Sequence, residues 1–337
     1  MREASFYFKY TDDSVRCFLC AHSCHIAPGE RGRCGVRENR NGSLWSLVYG
    51  RPVAQHVDPI EKKPLYHFYP GSLSYSYGTV GCNFHCLFCQ NADIAHAPKN
   101  KNKIRVNDVK PDEIVREARE TGCVSIAATY TEPTIFMEYA LDICRLGKEF
   151  DLKQVFVTNG FMTPKAVQAA VECIDAANVD LKSFRNSFYI EECAGRLGPV
   201  LKTIRSLKEA GVWVEVTTLI IPGQNDDPGE LGDIAGFIAS LGTEVPWHIS
   251  AFHPTYRRTD RPSTPAETLF RARDIGLEAG LRYVYCGNLP GVESRNTYCH
   301  GCGRKLIDRT MGAADAVGLK AGRCLQCGEI PAGVGLS

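Results

Sequence analysis

The sequence has no apolar run long enough to cross a bilayer. A membrane-spanning helix needs about 18 or more apolar residues in a row, and the 337 residues contain no such stretch. The first ten residues, MREASFYFKY, also lack the basic and then apolar order of a signal peptide. We therefore predict a cytoplasmic protein with no membrane partner.

The chain also has almost no net charge. Lysine and arginine number 39 against 38 aspartate and glutamate residues, which leaves a formal charge of +1. This balance argues against a nucleic-acid partner, which would favour a strongly basic surface. With 44% hydrophobic and 23% charged residues, the composition is that of a globular protein with a substantial core. We expect one main domain with smaller appended segments, without internal repeats.

Cysteine, in contrast, is abundant, with 16 residues. Eleven of them fall into three clusters, and clustered C-x-x-C pairs in a cytosolic protein of this size indicate metal sites rather than disulfides. We interpret the five that lie singly as small buried apolar residues. These are Cys123, Cys144, Cys173, Cys193 and Cys286.

The central cluster is the most informative of the three. Cys82, Cys86 and Cys89 lie in GCNFHCLFCQN with C-x3-C-x2-C spacing. A cluster that only carries electrons normally has four thiolate ligands, whereas an iron without a protein ligand can bind substrate, as a catalytic zinc does through its open position. Two alternatives are a zinc site and three buried apolar residues. The run resembles the three-cysteine loop of the radical S-adenosylmethionine (SAM) superfamily, which follows the first strand of a barrel.

Residues 74 to 290 alternate short apolar runs with amphipathic stretches, as βα units around a parallel sheet do. The predicted strands are Ser74–Val80, Val124–Thr129, Gln154–Thr158, Ala176–Leu181, Val212–Ile221, Trp247–Phe252 and Leu281–Tyr285. The predicted helices are Pro111–Glu120, Thr134–Lys148, Pro164–Cys173, Gly198–Ala210, Pro228–Leu241 and Pro265–Ala279. Because a complete eight-unit barrel needs about 250 residues, we predict an α/β fold with a partial, TIM-like (β/α)6-7 barrel.

Polar residues follow several of these strands, at the edge where ligands of parallel α/β proteins bind. SAM presents an ammonium, a carboxylate, ribose hydroxyls and an adenine, so its site needs acceptors, donors and an apolar slot together. Glu132, or backbone carbonyls beside it, could accept from the ammonium. Lys182, His253 or Asn159 could face the carboxylate or ribose, and Phe88 could line the adenine slot.

The same segments resemble the branch of radical SAM enzymes related to pyruvate formate-lyase activating enzyme. The matching pieces over about residues 60 to 290 are GCNFHCLFCQN, YTEP, VTNG, VDLK, TLIIPGQND and AFHP. The resemblance implies SAM-site roles for six residues: Glu132, Thr158, Asn159, Asp180, Lys182 and His253. Two positions depart from that enzyme, Val157 in place of an aspartate and Thr217 in place of an arginine. The second departure argues against the same glycyl-radical substrate.

The whole chain is more similar still to the radical SAM protein of the AmmeMemoRadiSam system. CFLCAHSCHIAPGERGRCGVR, VDPIEKKPLYHFYPGS, AFHPTYRRTDRPSTP and NTYCHGCGRKLIDR carry this match. It implies Memo-like and AMMECR-like partner proteins. As a further partner we predict a reductant such as flavodoxin or ferredoxin.

The N-terminal cluster predicts a closed metal site. Cys17, Cys20, Cys24 and Cys34 follow C-x2-C-x3-C-x9-C, and four such soft ligands suit either zinc or a second iron-sulfur cluster. His22 and His25 are possible substitutes for a cysteine, although we favour their interpretation as solvent-exposed loop histidines.

The C-terminal cluster predicts a zinc ribbon. Its ligands would be Cys299, Cys302, Cys324 and Cys327, in a C-x2-C-x21-C-x2-C pattern. Its role would be structural or that of a substrate lid, with a redox role as a further alternative. We thus expect an N-terminal extension at residues 1–60, the barrel at 61–292 and the zinc-ribbon-like module at 293–337.

Together these features predict an enzyme, an oxidoreductase of the radical SAM type. A reduced [4Fe-4S] cluster on Cys82, Cys86 and Cys89 would cleave SAM to methionine and a 5′-deoxyadenosyl radical, which takes hydrogen from a substrate near Tyr130, His253 and Tyr256. The substrate would be a small molecule or a partner-bound group. One alternative is an activase that acts on a glycine of a partner protein, and another is a non-catalytic electron-transfer or scaffold protein.

Overall fold

The computed structural model describes residues 1–96, 107–289, 293–310 and 314–336. Its N-terminal part contains two small antiparallel sheets, ordered β1-β6-β5 and β2-β3-β4. Their strands are β1 (Arg2–Glu3), β2 (Tyr7–Lys9), β3 (Val15–Cys17), β4 (His25–Ile26), β5 (Arg37–Arg40) and β6 (Ser43–Ser46).

The centre of the fold is one eight-stranded sheet. Its strands are β7 (Pro52–Pro59), β8 (Leu73–Thr79), β9 (Ser125–Ala128), β10 (Lys153–Thr158), β11 (Ala176–Asp180), β12 (Trp213–Ile220), β13 (Trp247–Ala251) and β14 (Val284–Gly287). They lie in sequence order from β7 to β14, with β8 to β14 parallel and β7 antiparallel to β8. Within the described residues β7 and β14 form the two edges of the sheet. The predicted partial barrel is therefore confirmed, with seven parallel strands.

Helices connect the parallel strands. They are α1 (Ala92–Ala95), α2 (Pro111–Glu120), α3 (Met137–Lys148), α4 (Pro164–Val171), α5 (Asn186–Cys193), α6 (Leu197–Glu209), α7 (Pro228–Leu241) and α8 (Ala266–Glu278). Proline occupies the first turn of α2, α4 and α7, where its missing N–H costs least. Thr163 and Asp227 cap α4 and α7 by accepting from backbone N–H groups of the first turn. The six predicted helices are confirmed, whereas α1 and α5 were not predicted. None of the helices in the described segments is long and apolar enough to span a bilayer.

The sheet begins earlier than the sequence predicted. Strand β7 lies within residues 1–60, which we had assigned to the N-terminal extension, and it pairs along its length with β8. As an edge strand with several partly or fully exposed side chains, β7 lacks the continuous apolar run that identifies the inner strands.

The C-terminal module packs at the amino end of the barrel. It contains β15 (Thr297–Tyr298), β16 (Lys305–Asp308), β17 (Asp315–Ala316), β18 (Leu319–Lys320) and β19 (Arg323–Cys324). The buried Arg309 donates to Tyr66 O at 2.6 Å, and His67 Nδ1 lies 2.6 Å from Ala332 O. Tyr66 and His67 in turn donate their N–H groups to Glu215, near the start of β12. The interpretation of this module as a substrate lid is therefore wrong, because the carboxyl ends of the strands lie on the opposite side.

Candidate active site

The central cysteine loop leaves the carboxyl end of β8 through Gly81. This residue has φ +99°, a conformation that favours glycine. A Cβ atom at position 81 would also lie 2.7 Å from Val36 Cγ1 and 3.0 Å from Cys34 O. Both the backbone conformation and the close approach of the N-terminal extension therefore require glycine directly before Cys82.

Helix α5 and a later loop hold this segment from both sides. The N–H of His85 donates to Cys193 O at 2.8 Å, and that of Leu87 donates to Glu192 O at 2.9 Å. Leu87 O accepts in turn from the N–H of Arg257 at 3.0 Å. The residues around Cys86 are thus fixed by backbone hydrogen bonds, which suits a set of metal ligands.

The first cysteine lies beside the turn that follows β10. The Cys82 sulfur accepts from the N–H of Phe84 at 3.3 Å, and Asn159 Nδ2 lies 3.8 Å from the same sulfur. Asn159 Nδ2 also donates to Asn83 Oδ1 at 2.7 Å. The predicted residue Asn159 therefore lies next to the cysteine loop and contacts it directly.

Lys182 and Asp180, at the end of β11, form an ion pair next to the second cysteine, with Nζ and Oδ2 2.8 Å apart. Burial alone would lower the pKa of the Lys182 ammonium, but Asp180 and Cys86 outweigh it and raise that pKa well above its usual value. Lys182 Nζ lies 5.9 Å from the ring centroid of Phe88, which packs on Phe188. The structure thus brings a cation and an aromatic ring together at the cysteine loop.

Cys193 is a neighbour of the site that the sequence analysis treated as an ordinary buried residue. A hydrogen bond with its thiol is the main cause that lowers the pKa of the Cys86 thiol, against the effect of burial. Cys193 is fully buried and ends α5, a short helix without a clear apolar face in the sequence. No sequence signal separated this cysteine from the other four single ones.

Glu132 has a different environment from the one expected. Its carboxylate is fully buried and accepts from Thr134 N at 3.0 Å, Thr158 Oγ1 at 2.7 Å and Asn159 N at 2.8 Å. Burial raises the pKa of Glu132, against these hydrogen bonds. In this structure the carboxylate joins the segments that follow β9 and β10 and so fixes the position of Asn159.

The other predicted residues of the barrel mouth lie at its rim. His253 is exposed after β13, with Nδ1 3.1 Å from Ser263 Oγ. Tyr256 is 41% exposed, and its ring stacks on that of His96 at 5.1 Å. In the structure neither residue has a described contact with the Lys182 and Asp180 pair.

Near the end of β9, Tyr130, which the sequence predicts at the substrate site, joins a buried polar pair that the sequence does not predict. Asp58 Oδ2 is 2.8 Å from Lys63 Nζ and accepts from the hydroxyl of Tyr130 at 2.9 Å. Burial would raise the pKa of Asp58, but Lys63 and Tyr130 lower it well below the usual range. The VDPIEKKP segment contains both charged residues, yet their five-residue separation gives no motif that would identify them.

The two flanking cysteine clusters differ in geometry. Cys17, Cys20, Cys24 and Cys34 line one cavity, whereas His22 and His25 bind Asn83 O and Ser14 outside it. In the C-terminal module the Sγ atoms of Cys299 and Cys327 lie 3.6 Å apart, as do those of Cys302 and Cys324. All four C-terminal ligand atoms lie within 4.8 Å of one another, so these residues could hold a metal ion.

Comparison with known proteins identifies the family. The profile described as "Radical SAM superfamily" matches residues 76–234. The uncharacterized protein MJ0808 of Methanocaldococcus jannaschii is 45% identical over 332 residues, which cover 98% of each chain. The chain belongs to the radical SAM superfamily. Membership supports an enzyme and implies SAM and a [4Fe-4S] cluster as cofactors.

Solved structures of other proteins share the fold. A radical SAM methyltransferase from Sphaerobacter thermophilus aligns with a TM-score of 0.51 and 19% identity, over 65% of this chain and 67% of the other. SuiB from Streptococcus suis, solved with its precursor peptide SuiA, also aligns with a TM-score of 0.51, at 15% identity, over 68% of this chain and 51% of the other. At these identities the similarity concerns the fold alone.

Proposed function

We propose that this radical SAM protein cleaves SAM reductively at a [4Fe-4S] cluster on Cys82, Cys86 and Cys89, and that the product radical takes hydrogen from a substrate. The observation that carries the proposal is one rigidly held loop, at the carboxyl end of the barrel, that contains all three cysteines. The bound cluster would supply the electron that breaks a sulfonium C–S bond, giving methionine and a 5′-deoxyadenosyl radical.

The chain's own residues fit the polar groups of SAM. The Lys182 cation suits the SAM carboxylate, and Asp180 keeps Lys182 charged and oriented. The ring of Phe88 offers an apolar surface for the adenine. Because the carboxylate of Glu132 is enclosed by its own partners, we assign the SAM ammonium to backbone carbonyls beside Glu132 and give Glu132 a positioning role. We assign the exposed His253, at the rim of the barrel mouth, to a contact with the SAM ribose.

The experiment is an anaerobic incubation of the reconstituted full chain with SAM and dithionite. We expect 5′-deoxyadenosine and methionine from the wild type and from Cys193→Ala, since Cys193 lies behind Cys86 and is not one of the three ligands. Cys86→Ala should lose the cluster absorbance together with the activity. No 5′-deoxyadenosine from a fully iron-loaded wild type would favour an electron-transfer or scaffold protein. Loss of the cluster in Cys193→Ala would mean that a fourth thiolate fills the open position.

The substrate is a small molecule or a partner-bound group, and an activase for a glycyl-radical enzyme is the alternative. Thr217, where the related activating enzyme has an arginine, uses its hydroxyl to bind Asn178 Oδ1 at 3.0 Å inside the barrel. This neutral pair favours a substrate other than that enzyme's. A glycyl radical signal in electron paramagnetic resonance, after incubation with a candidate partner, would instead support the activase.

The resemblance to the AmmeMemoRadiSam protein supplies the partners for this test. We propose Memo-like and AMMECR-like proteins as the first candidates and a flavodoxin or ferredoxin as the reductant. Co-purification with the tagged chain, followed by the electron paramagnetic resonance measurement, examines each candidate directly.

We also propose that the C-terminal site holds zinc in a structural role. Tetrahedral zinc with Zn–S bonds of about 2.3 Å places its sulfur ligands about 3.8 Å apart, close to the 3.6 Å of the two cysteine pairs. About one zinc per chain that is lost in Cys302→Ala, with iron unchanged, is the expected result.

A further inference from the structure

The four cysteines of the N-terminal extension surround a common cavity. Cys17, Cys20, Cys24 and Cys34 all line it. Apolar side chains complete much of the wall, namely Leu19, Ile26 and Ile135. Cys17 and Cys34 are buried, and Cys20 and Cys24 are half-buried. The cavity thus combines soft ligands with protection from water.

From this geometry we propose that the N-terminal cysteines hold a second iron-sulfur cluster of the [4Fe-4S] type rather than zinc. Among all described residues, the C-terminal cysteines are the one set of three or more candidate ligands whose donor atoms lie within 4.8 Å of one another. The N-terminal four do not meet that distance, nor do Cys82, Cys86 and Cys89. One zinc ion requires close sulfur atoms, whereas in a cubane each thiolate binds a different iron and lies farther from the others.

A buried cation in the cavity wall fits an anionic metal centre. Arg37 is 1% exposed, and its Nε and Nη1 have no hydrogen-bond partner, while Nη2 donates to Glu138. Unpaired N–H groups are costly in a protein interior. A cluster with four thiolates carries negative charge and adds sulfide acceptors, so it would satisfy these donors.

The second site lies beside the first. Position 81, directly before Cys82, approaches Cys34 O, and His22 Nε2 lies 2.8 Å from Asn83 O. Cys20 also forms an isolated β-bridge with Met162, in the segment after β10. The N-terminal extension thus packs on the carboxyl end of the barrel, against the loop with the other three cysteines. A cluster there would be a near neighbour for electron transfer, and its presence does not depend on SAM cleavage.

The test counts iron, sulfide and zinc in anaerobically reconstituted full-length protein. The wild type should contain about eight irons and eight sulfides per chain, with one zinc. A variant with Cys82, Cys86 and Cys89 all changed to alanine leaves the N-terminal extension intact, so we expect it to keep about four irons and a reducible cluster in its Mössbauer and electron paramagnetic resonance spectra.

The matched variant carries both Cys20→Ala and Cys24→Ala. It should keep about four irons per chain. It should also still form 5′-deoxyadenosine or show a SAM-dependent change in the spectrum of the remaining cluster. If the triple variant instead contains no iron and two zinc ions per chain, the N-terminal site binds zinc and the proposal is overturned, while the proposed SAM chemistry stands. If only the N-terminal cysteines retain iron, the proposed function fails and the second cluster stands.

Discussion

Acid should destabilise the protein through His67, at the closed end of the barrel. Its Nδ1 lies 2.6 Å from Ala332 O, and its Nε2 contacts the hydroxyl of Tyr285. A carbonyl can only accept, so Nδ1 carries the proton and Nε2 accepts from Tyr285. Protonation of Nε2 would break this arrangement in a fully buried site. Burial accordingly lowers the pKa of His67 to about 4, against about 6.5 in an unfolded chain.

The sign and size of the effect follow from that difference. Well above a pH of about 6.5 His67 is neutral in both states, and as the pH falls the unfolded state binds the proton first, so the free energy of unfolding decreases. With the two pKa values given, the loss between pH 7 and pH 5 is about 2 kcal/mol, and it grows to about 3 kcal/mol near pH 4.

The assay is urea unfolding at pH 7 and pH 5, followed by tryptophan fluorescence, to which Trp213, with its ring stacked on His67 at 6.4 Å, contributes. The control variant is His67→Gln, which keeps one donor and one acceptor but does not titrate. The difference between wild type and variant cancels the acid sensitivity of the cysteine sites. Parallel pH dependences in the two proteins would show that His67 is not held neutral, and the reasoning would be refuted.

Three further predictions concern the site and the C-terminal module. Glu132→Gln should lower the free energy of unfolding by about 2 to 3 kcal/mol in urea titrations, because the N–H of Asn159 loses its acceptor. An unchanged free energy of unfolding would contradict the positioning role of Glu132. Lys182→Met should raise the KM for SAM about tenfold or more through loss of a charge-assisted contact, with iron content unchanged, whereas the exposed Lys202→Met should leave KM unaltered. Cys302→Ala should give a poorly soluble chain with a lower thermal midpoint and about one zinc fewer; wild-type stability would argue against a structural metal.

The inner strands were predictable because their sequences are simple. β9 and β11 are buried on both faces, so they read as short apolar runs, and prolines mark where several helices begin. The edge strand β7 and the short helix α5 carry no such pattern. Their positions depend on contacts with β8 and with the cysteine loop, which are distant in the sequence.

The candidate site divides in the same way. The three-cysteine spacing is local, so the loop could be identified from the sequence. Asp180 and Lys182 could be identified because both lie in the short VDLK segment. The environment of Glu132 could not, because its partners Thr158 and Asn159 follow a different strand. The position of Cys193 beside Cys86 could not be predicted either. A single cysteine looks the same in the sequence wherever the fold places it.

The position of the C-terminal module at the amino end has a consequence for kinetics. In the described residues the C-terminal module covers the amino ends of the strands, whereas the carboxyl end carries the 82–89 loop and the four N-terminal cysteines that pack beside it. If the proposed reductant and a protein substrate both bind there, they would compete for the same face. Raising the concentration of either one should inhibit the other, so turnover would require the two to visit in alternation.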